Sequence, residues 1–130
     1  MKIKTSELTG PALNWAVARC EGFESFEFWH TGAVTTRQEN GLKITPRYST
    51  DWAQGGPIIE REKLCVGYRH QLDPVYVPLL DPATVCWART TAGGYLNCGP
   101  TPLIAAMRCF VASKLGAEVE VPEELCASAT

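Results

Sequence analysis

The chain has 130 residues, of which 45% are hydrophobic and 20% charged, a balance typical of one soluble globular domain. Its net charge of −2 leaves no basic surplus to neutralise the phosphates of a duplex, which argues against non-specific nucleic-acid binding. No apolar run approaches the roughly 20 residues that cross a bilayer, and the first residues lack the apolar core of a signal peptide. We therefore expect a cytoplasmic protein without membrane contact.

The first half of the chain predicts one helix followed by two strands. Apolar residues at helical spacing indicate a helix over about residues 9–21, which Gly22 ends. The aromatic-rich segment 23–29 favours a strand. The alternating segment 42–48 favours an edge strand, because Pro46 has no backbone N–H to donate to a neighbouring strand.

The second half predicts a long helix among short strands. This helix covers about residues 101–115, with Thr101 as its N-cap, Pro102 in its first turn and Gly116 at its end. Segment 58–63 fits either one or two helical turns or the entry to a strand. Turns are predicted at Asp73-Pro74, Asp81-Pro82 and Gly93-Gly94, the last of them directly before residues 95–98, and strands are predicted at residues 64–68, 85–90 and 118–121.

Together these elements indicate an α+β fold. We expect a single compact domain, residues 1–130, in which a small and mainly antiparallel sheet packs against the two main helices. The chain shows no internal repeat and no low-complexity linker that would divide it.

The segment 48–57 is built like a binding loop, because aromatic and polar side chains crowd against a glycine pair. Its rings, Tyr48 and Trp52, can stack on a planar ligand, while the glycines let backbone N–H groups approach it. A structural interpretation stays open: a hydroxyl caps a turn, Trp52 fills the core, and Pro57 opens a helix.

The start of the helix at 101–115 is a second candidate, because a helix N-terminus has unpaired N–H groups that attract anions such as phosphate. If both segments line one pocket, the rings stack on a base and an arginine receives its phosphate. The ligand-binding residues predicted on this basis are Arg47, Tyr48, Ser49, Thr50, Asp51, Trp52, Gln54, Gly55, Gly56, Asn97, Gly99, Thr101 and Arg108. The alternative is that the loop packs beneath the helix and its polar groups satisfy buried backbone.

The cysteines and carboxylates give little sign of metal or catalytic chemistry. The six cysteines are irregularly spaced without a Cys-x-x-Cys pair, so we expect free thiols, no metal site and no cofactor. Cys98 with His70 is a candidate nucleophile pair without an activating context. Asp51 with Glu60 or Asp81 is a candidate Mg²⁺ pair without a recognised spacing.

Three blocks of the sequence resemble the phage NinX-like family. They are residues 2–18, the stretch Ser49-Thr-Asp-Trp-Ala-Gln-Gly-Gly-Pro-Ile-Ile-Glu-Arg61, and the stretch Gly99-Pro-Thr-Pro-Leu-Ile-Ala-Ala-Met-Arg108 with Val111-Ala-Ser-Lys-Leu-Gly116. The family is a domain of unknown function carried by tailed phages and prophages. The resemblance implies an accessory phage protein in the cytoplasm of the bacterial host, and it carries over no catalytic residues.

Three functions are compatible with these observations. The first is a non-enzymatic protein that sequesters a small phosphate-bearing or nucleotide-like molecule, such as a host defence signal. The second is an interaction module that blocks a host or phage protein through exposed aromatics such as Trp29 and Trp87. The third is a small metal-dependent hydrolase. We favour the binder over an enzyme, and the four tryptophans suggest apolar surface that a homodimer would cover.

Overall fold

A computed structural model describes residues 1–75, 77–79, 83–91 and 95–129. The helices of this part of the chain are α1 (Gly10–Cys20), α2 (Trp52–Glu62), α3 (Pro102–Leu115) and α4 (Glu123–Ala129). Its strands are β1 (Lys2–Lys4), β2 (Phe26–Phe28), β3 (Val34–Arg37), β4 (Lys43–Ile44), β5 (Leu64–Tyr68), β6 (Cys86–Thr90), β7 (Leu96–Gly99) and β8 (Glu118–Glu120). Short 3₁₀ turns cover Thr5–Glu7, Arg69–Gln71 and Val77–Leu79.

Helix α3 lies at the centre of the molecule and confirms the strongest prediction from the sequence. The hydroxyl of Thr101 accepts a hydrogen bond from the N–H of Ile104 at 3.1 Å, which satisfies one of the unpaired N–H groups of the first turn. Gly116 ends the helix with a φ of 91°, a conformation that glycine adopts without strain. Most of the helix is buried between the sheet β5–β6–β7 and helices α1 and α2.

The sheet against α3 is antiparallel, with β6 between β5 and β7. Cys86 and Ala88 of the central strand are fully buried in the main core, on the face that α3 covers. The opposite face holds a smaller cluster around Leu72 and Trp87, and the Trp87 indole donates to the carbonyl of Tyr68 at 2.7 Å. The predicted strands at 64–68 and 85–90 are therefore confirmed, and β7 completes their sheet.

The remaining strands form two further small sheets. Strands β1 and β8 make an antiparallel pair, and β2, β3 and β4 form a meander with β4 at its edge, as the proline pattern predicted. The α+β class in a compact domain is confirmed, but the expected single sheet is three sheets. The strands have only two to five residues, and the β1–β8 pair joins segments from opposite ends of the chain.

Helix α2 corrects the reading of segment 48–57 as a loop. The helix begins at Trp52 and continues through Gly55-Gly56-Pro57, and it ends at Lys63 in the left-handed conformation with a φ of 54°. Helix formers and an N-cap outweigh the local breakers here, because Asp51 accepts from the N–H of Ala53 at 2.9 Å. Helix α2 also packs against α3, so tertiary contact supports it.

Two predicted turns, Asp81-Pro82 and Gly93-Gly94, lie outside the residues that the structure describes. Among the described helices, none is long and apolar enough to cross a membrane.

Candidate functional site

The polar side chains of segment 48–57 are engaged within the protein. Asp51 caps α2, and Gln54 accepts from the N–H of Arg47 at 2.6 Å while it donates to the carbonyl of Thr45 at 3.3 Å. Ser49 is buried, and both its N–H and its hydroxyl donate to the side-chain oxygen of Asn14, at 2.9 and 2.8 Å. These bonds match the structural alternative, in which the polar groups fix the chain entering a helix.

The two aromatic rings of this segment have opposite environments. Tyr48 is 8% exposed and belongs to the main core, so its ring is not open for the stacking on a ligand that we expected from the sequence. Burial also raises the pKa of its hydroxyl. Trp52 is 55% exposed, so the alternative in which it fills the core is wrong. Only this second ring is open to solvent.

The two glycines also differ. A Cβ atom at Gly55 would lie 2.4 Å from the carbonyl oxygen of Tyr48 and 2.7 Å from a methyl group of Leu103. Such distances are far below van der Waals contact, so Gly55 lets α2 approach α3 closely. A Cβ at Gly56 would meet only the Trp52 ring, at 3.8 Å. The approach that needs glycine is therefore that of one helix to another.

The two predicted segments meet in one small depression. It has a volume of about 210 Å³ and is lined by Ser49, Thr50, Trp52, Thr101, Pro102, Leu103 and Ile104. Sites for small organic ligands usually measure about 300–1,000 Å³, so this space suits at most a fragment. The Thr101 hydroxyl is already used in capping α3. Ligand binding by these residues stays a prediction.

Three other predicted residues, Asn97, Gly99 and Arg108, line a larger cleft and not that depression. The cleft has a volume of about 490 Å³ and lies between the Thr5–Glu7 turn, strand β7 and helix α3. Its walls are Ser6, Ala83, Thr84, Val85, Leu96, Asn97, Cys98, Gly99, Pro100 and Arg108. The size and the mixture of apolar wall with a few polar groups are those of a small-molecule site.

Among the described residues of that wall, Arg108 is the one with a charged side chain. Its Nε donates to the carbonyl of Leu8 at 2.8 Å, and its Nη1 donates to the carbonyl of Cys98 at 2.9 Å. The ion pairs among the described residues do not include it. Burial lowers the pKa of this guanidinium from its usual value. The result is a fixed, partly desolvated cation that donates only to neutral oxygens in the described structure, while the Glu7 carboxylate acts on its charge from beyond ion-pair distance.

Asn97 adds an uncommitted amide beside this cation. Asn97 lines the cleft and also a neighbouring space of about 210 Å³, whose wall includes Tyr95, a residue that is 45% exposed. The Asn97 side chain makes no hydrogen bond to any residue that the structure describes. Gly99 packs tightly, because a Cβ there would lie 2.9 Å from the backbone nitrogen of Ala105. Arg47 is exposed and lines neither cavity.

Other candidate centres receive less support. A wider depression of about 870 Å³ carries Glu21, Glu24 and Glu39, and such carboxylates repel phosphate. Across residues 1–75, 77–79, 83–91 and 95–129, no group of three His, Cys, Asp or Glu side chains is placed to hold a metal ion. Trp87, expected as an exposed aromatic, is only 7% exposed, whereas Trp29 is 45% exposed. Asp81 lies outside the described residues.

A comparison with models of protein families shows to which family the chain belongs. The family model described as bacteriophage P22 NinX matches residues 4–114. The chain belongs to this NinX family. The comparison with curated proteins gave no significant match. Both the cleft at Arg108 and the depression at Trp52 lie within the range that matches NinX.

Sequence reasoning found part of the NinX cleft and missed the rest. Asn97, Gly99 and Arg108 were predicted and line one cavity together. Ser6 and Thr84 were not predicted, since neither stands in a motif. For Ser6, the available signal was its place in the first of the three family-like blocks.

Proposed function

We propose that this NinX family member binds a small phosphate-bearing or nucleotide-like molecule reversibly, with the phosphate at Arg108 in the 490 Å³ cleft. The observation that supports this most is the state of Arg108, a cation fixed by two backbone carbonyls and without a carboxylate partner among the described ion pairs. The proposal keeps the ligand class expected from the sequence and moves its main site from segment 48–57 to the cleft.

The donor count of the guanidinium favours an anionic ligand. An arginine side chain has five N–H donors, and the two carbonyl bonds of Arg108 use two of them. The remaining donors form the planar fork that matches phosphate and carboxylate oxygens. Because the two carbonyls hold the side chain in place, binding costs little rotamer entropy.

Neighbouring groups extend the site beyond the anion. Asn97 offers one amide donor pair and one acceptor, and the apolar wall of Val85 and Leu96 can cover an uncharged part of the ligand. Tyr95 stands with an exposed ring at the end of β7. This combination suits an organic phosphate better than inorganic phosphate alone.

The test is a ligand panel read by native mass spectrometry and calorimetry. The panel contains linear and cyclic nucleotides, including bacterial signalling nucleotides, because the family is one of phage proteins. We expect at least one member to bind the parent protein and to be recovered intact after heating. A cleaved product would indicate an enzyme, and no binding across the panel would contradict the proposal and favour a protein partner.

The matched variants are Arg108→Gln and Lys114→Gln. Both remove one positive charge from α3, but Lys114 lies near Glu62 on the exposed side, at 3.4 Å. Loss of charge-assisted hydrogen bonds costs roughly 1.5–3 kcal/mol, so Arg108→Gln should weaken binding by about ten- to a hundredfold. Lys114→Gln should leave the affinity within about twofold, because exposed charges outside the site contribute little. Equal effects of the two variants would argue against a phosphate at Arg108.

A further inference from the structure

Strand β7 presents an outer edge to the cleft, and the hydrogen-bond pattern fixes which of its residues face outward. The N–H of Thr90 donates to the carbonyl of Tyr95 at 3.1 Å, which makes these opposite residues a hydrogen-bonded pair. Opposite pairs alternate along an antiparallel ladder between bonded and non-bonded. Leu96 and Cys98 are therefore the members of β7 whose N–H and C=O groups point away from β6.

Arg108 supports this orientation independently. Its guanidinium bonds the carbonyl of Cys98 from outside the sheet, which is possible only if that carbonyl points away from β6. At Leu96 no such partner exists: neither its N–H nor its C=O has a hydrogen bond to a described residue outside the ladder. Leu96 lines both the cleft and the adjoining space beside Tyr95. The open edge is thus the N–H and C=O of Leu96, followed by the N–H of Cys98, whose own carbonyl is occupied by Arg108.

The shortness of this open edge decides what it can bind. An added peptide strand would need several consecutive outward groups, but Arg108 occupies the Cys98 carbonyl and the Thr5–Glu7 turn packs against β7. A planar ring with one donor and one acceptor side by side fits a single residue. Adenine has such an edge, since its N6 amino group donates beside a ring nitrogen that accepts.

We propose that the Leu96 backbone reads the edge of an adenine base while Arg108 holds the phosphate of the same nucleotide. This inference rests on the proposed phosphate site and names its ligand class as an adenine nucleotide. Leu96 and Cys98 are two residues apart on the strand, which places their outward groups about 7 Å from each other. One nucleotide would therefore place its base at Leu96 and its phosphate beside Cys98. Tyr95 lies next to Leu96 in the wall of the adjoining space, where its side chain can contact the base.

The first experiment compares ligands on the unaltered protein. Adenosine 5′-monophosphate should bind at least about tenfold more tightly than ribose 5-phosphate, because the base adds two hydrogen bonds and apolar contact. Purine riboside 5′-monophosphate, which has a hydrogen atom where adenine has the amino group and so lacks the donor, should lose most of that advantage. Calorimetry measures all three affinities.

The second experiment alters the edge itself. Leu96→Pro removes the outward N–H without removing a ladder bond, and proline is tolerated at strand edges for that reason. Leu96→Ala is the matched control, since it keeps the N–H and shortens the side chain. We expect Leu96→Pro to bind adenosine 5′-monophosphate about two- to tenfold more weakly than Leu96→Ala does, because only the proline removes the N–H that donates to the ring nitrogen. If Leu96→Pro does not fold, the ligand comparison on the unaltered protein still decides.

The outcomes distinguish a failure of base recognition at Leu96 from a failure of the phosphate site at Arg108. If ribose 5-phosphate binds as tightly as adenosine 5′-monophosphate and Arg108→Gln weakens both, base reading is overturned and the phosphate site stands. If neither compound binds the unaltered protein, the phosphate site fails and the base reading fails with it. Equal binding of purine riboside 5′-monophosphate and adenosine 5′-monophosphate would overturn the assignment of adenine.

Discussion

Asp51 has two competing roles at the scale of a single residue, helix cap and ligand reader. In the structure its carboxylate accepts from the N–H of Ala53, as an N-cap does. We expect Asp51→Ala to lower the free energy of unfolding by about 1 kcal/mol and Asp51→Asn to retain most of it. Urea unfolding measures the stability. A ligand affinity that falls more than tenfold at unchanged stability would return Asp51 to the binding site.

The glycine pair of α2 provides a second test, since one member is packed and the other is free. Gly55→Ala should destabilise the protein by about 1–3 kcal/mol, because its methyl group would overlap backbone and Leu103. Gly56→Ala meets only the Trp52 ring at 3.8 Å and should stabilise the helix by up to about 1 kcal/mol. Thermal unfolding of the two variants should therefore move in opposite directions. The same sign for both would contradict the close helix approach.

The role of a residue was predictable from the sequence where that role depends on its neighbours in the chain. Thr101 was predicted as a cap and is one, because a cap depends on residues within one turn. The exposure of Trp52 and the burial of Tyr48 were not predictable, since both depend on where distant α3 lies. Arg108 stood as one of two phosphate candidates, and only its contacts with Leu8 and Cys98 distinguish it from exposed Arg47.

At the scale of elements, α3 is the support for the rest of the fold. Phe110 is 1% exposed, and Arg61 and Lys114 lie over its ring at 5.6 and 5.9 Å. We expect Phe110→Ala to cost about 3–5 kcal/mol, the usual range for emptying a buried aromatic site. Lys114→Ala should cost less than about 1 kcal/mol, because its ion pair with Glu62 is half exposed. Equal stability of the two variants in chemical denaturation would contradict the burial of Phe110 at the centre of the fold.

The elements with a clear local pattern were predictable, and those that depend on contacts with distant parts of the chain were not. Helices α1 and α3 and strands β5, β6 and β8 follow from apolar spacing and caps. Helix α2 was predicted only in part, through the helical alternative for residues 58–63, because Gly-Gly-Pro is a breaker locally, whereas the Asp51 cap and contact with α3 decide in favour of a longer helix. Strand β3 has four residues, and it depends on pairing with β2 and β4 rather than on its own pattern.

At the scale of the whole molecule, the six cysteines are free thiols with different access. Cys86 and Cys109 are buried, and burial raises the pKa of Cys109 to about 11 and also that of Cys86. We expect a thiol reagent at pH 8 to count six groups in denaturant without reductant, with these two reacting slowest in the native protein. A denatured count of two or fewer would contradict six free thiols.

The cleft is a property of the whole fold, which explains why the sequence revealed it only in part. Its wall joins Ser6, residues 83–85, strand β7 and Arg108, segments that lie far apart in the chain. Their meeting depends on the β1–β8 pair, which returns the N-terminus to the end of α3, and on the sheet that α3 covers. No local pattern encodes such a meeting. The predicted homodimer is likewise a matter of the whole surface and stays a prediction.

The most direct test of the account is an NMR titration of the isotope-labelled protein with adenosine 5′-monophosphate. The N–H signals to follow are those of the Arg108 guanidinium and the Asn97 side-chain amide, which line the cleft. The Trp52 indole reports the alternative depression. The account predicts saturable shifts at Arg108 and Asn97 with the Trp52 signal unchanged. Saturable shifts centred on Trp52, or none at Arg108, would contradict it.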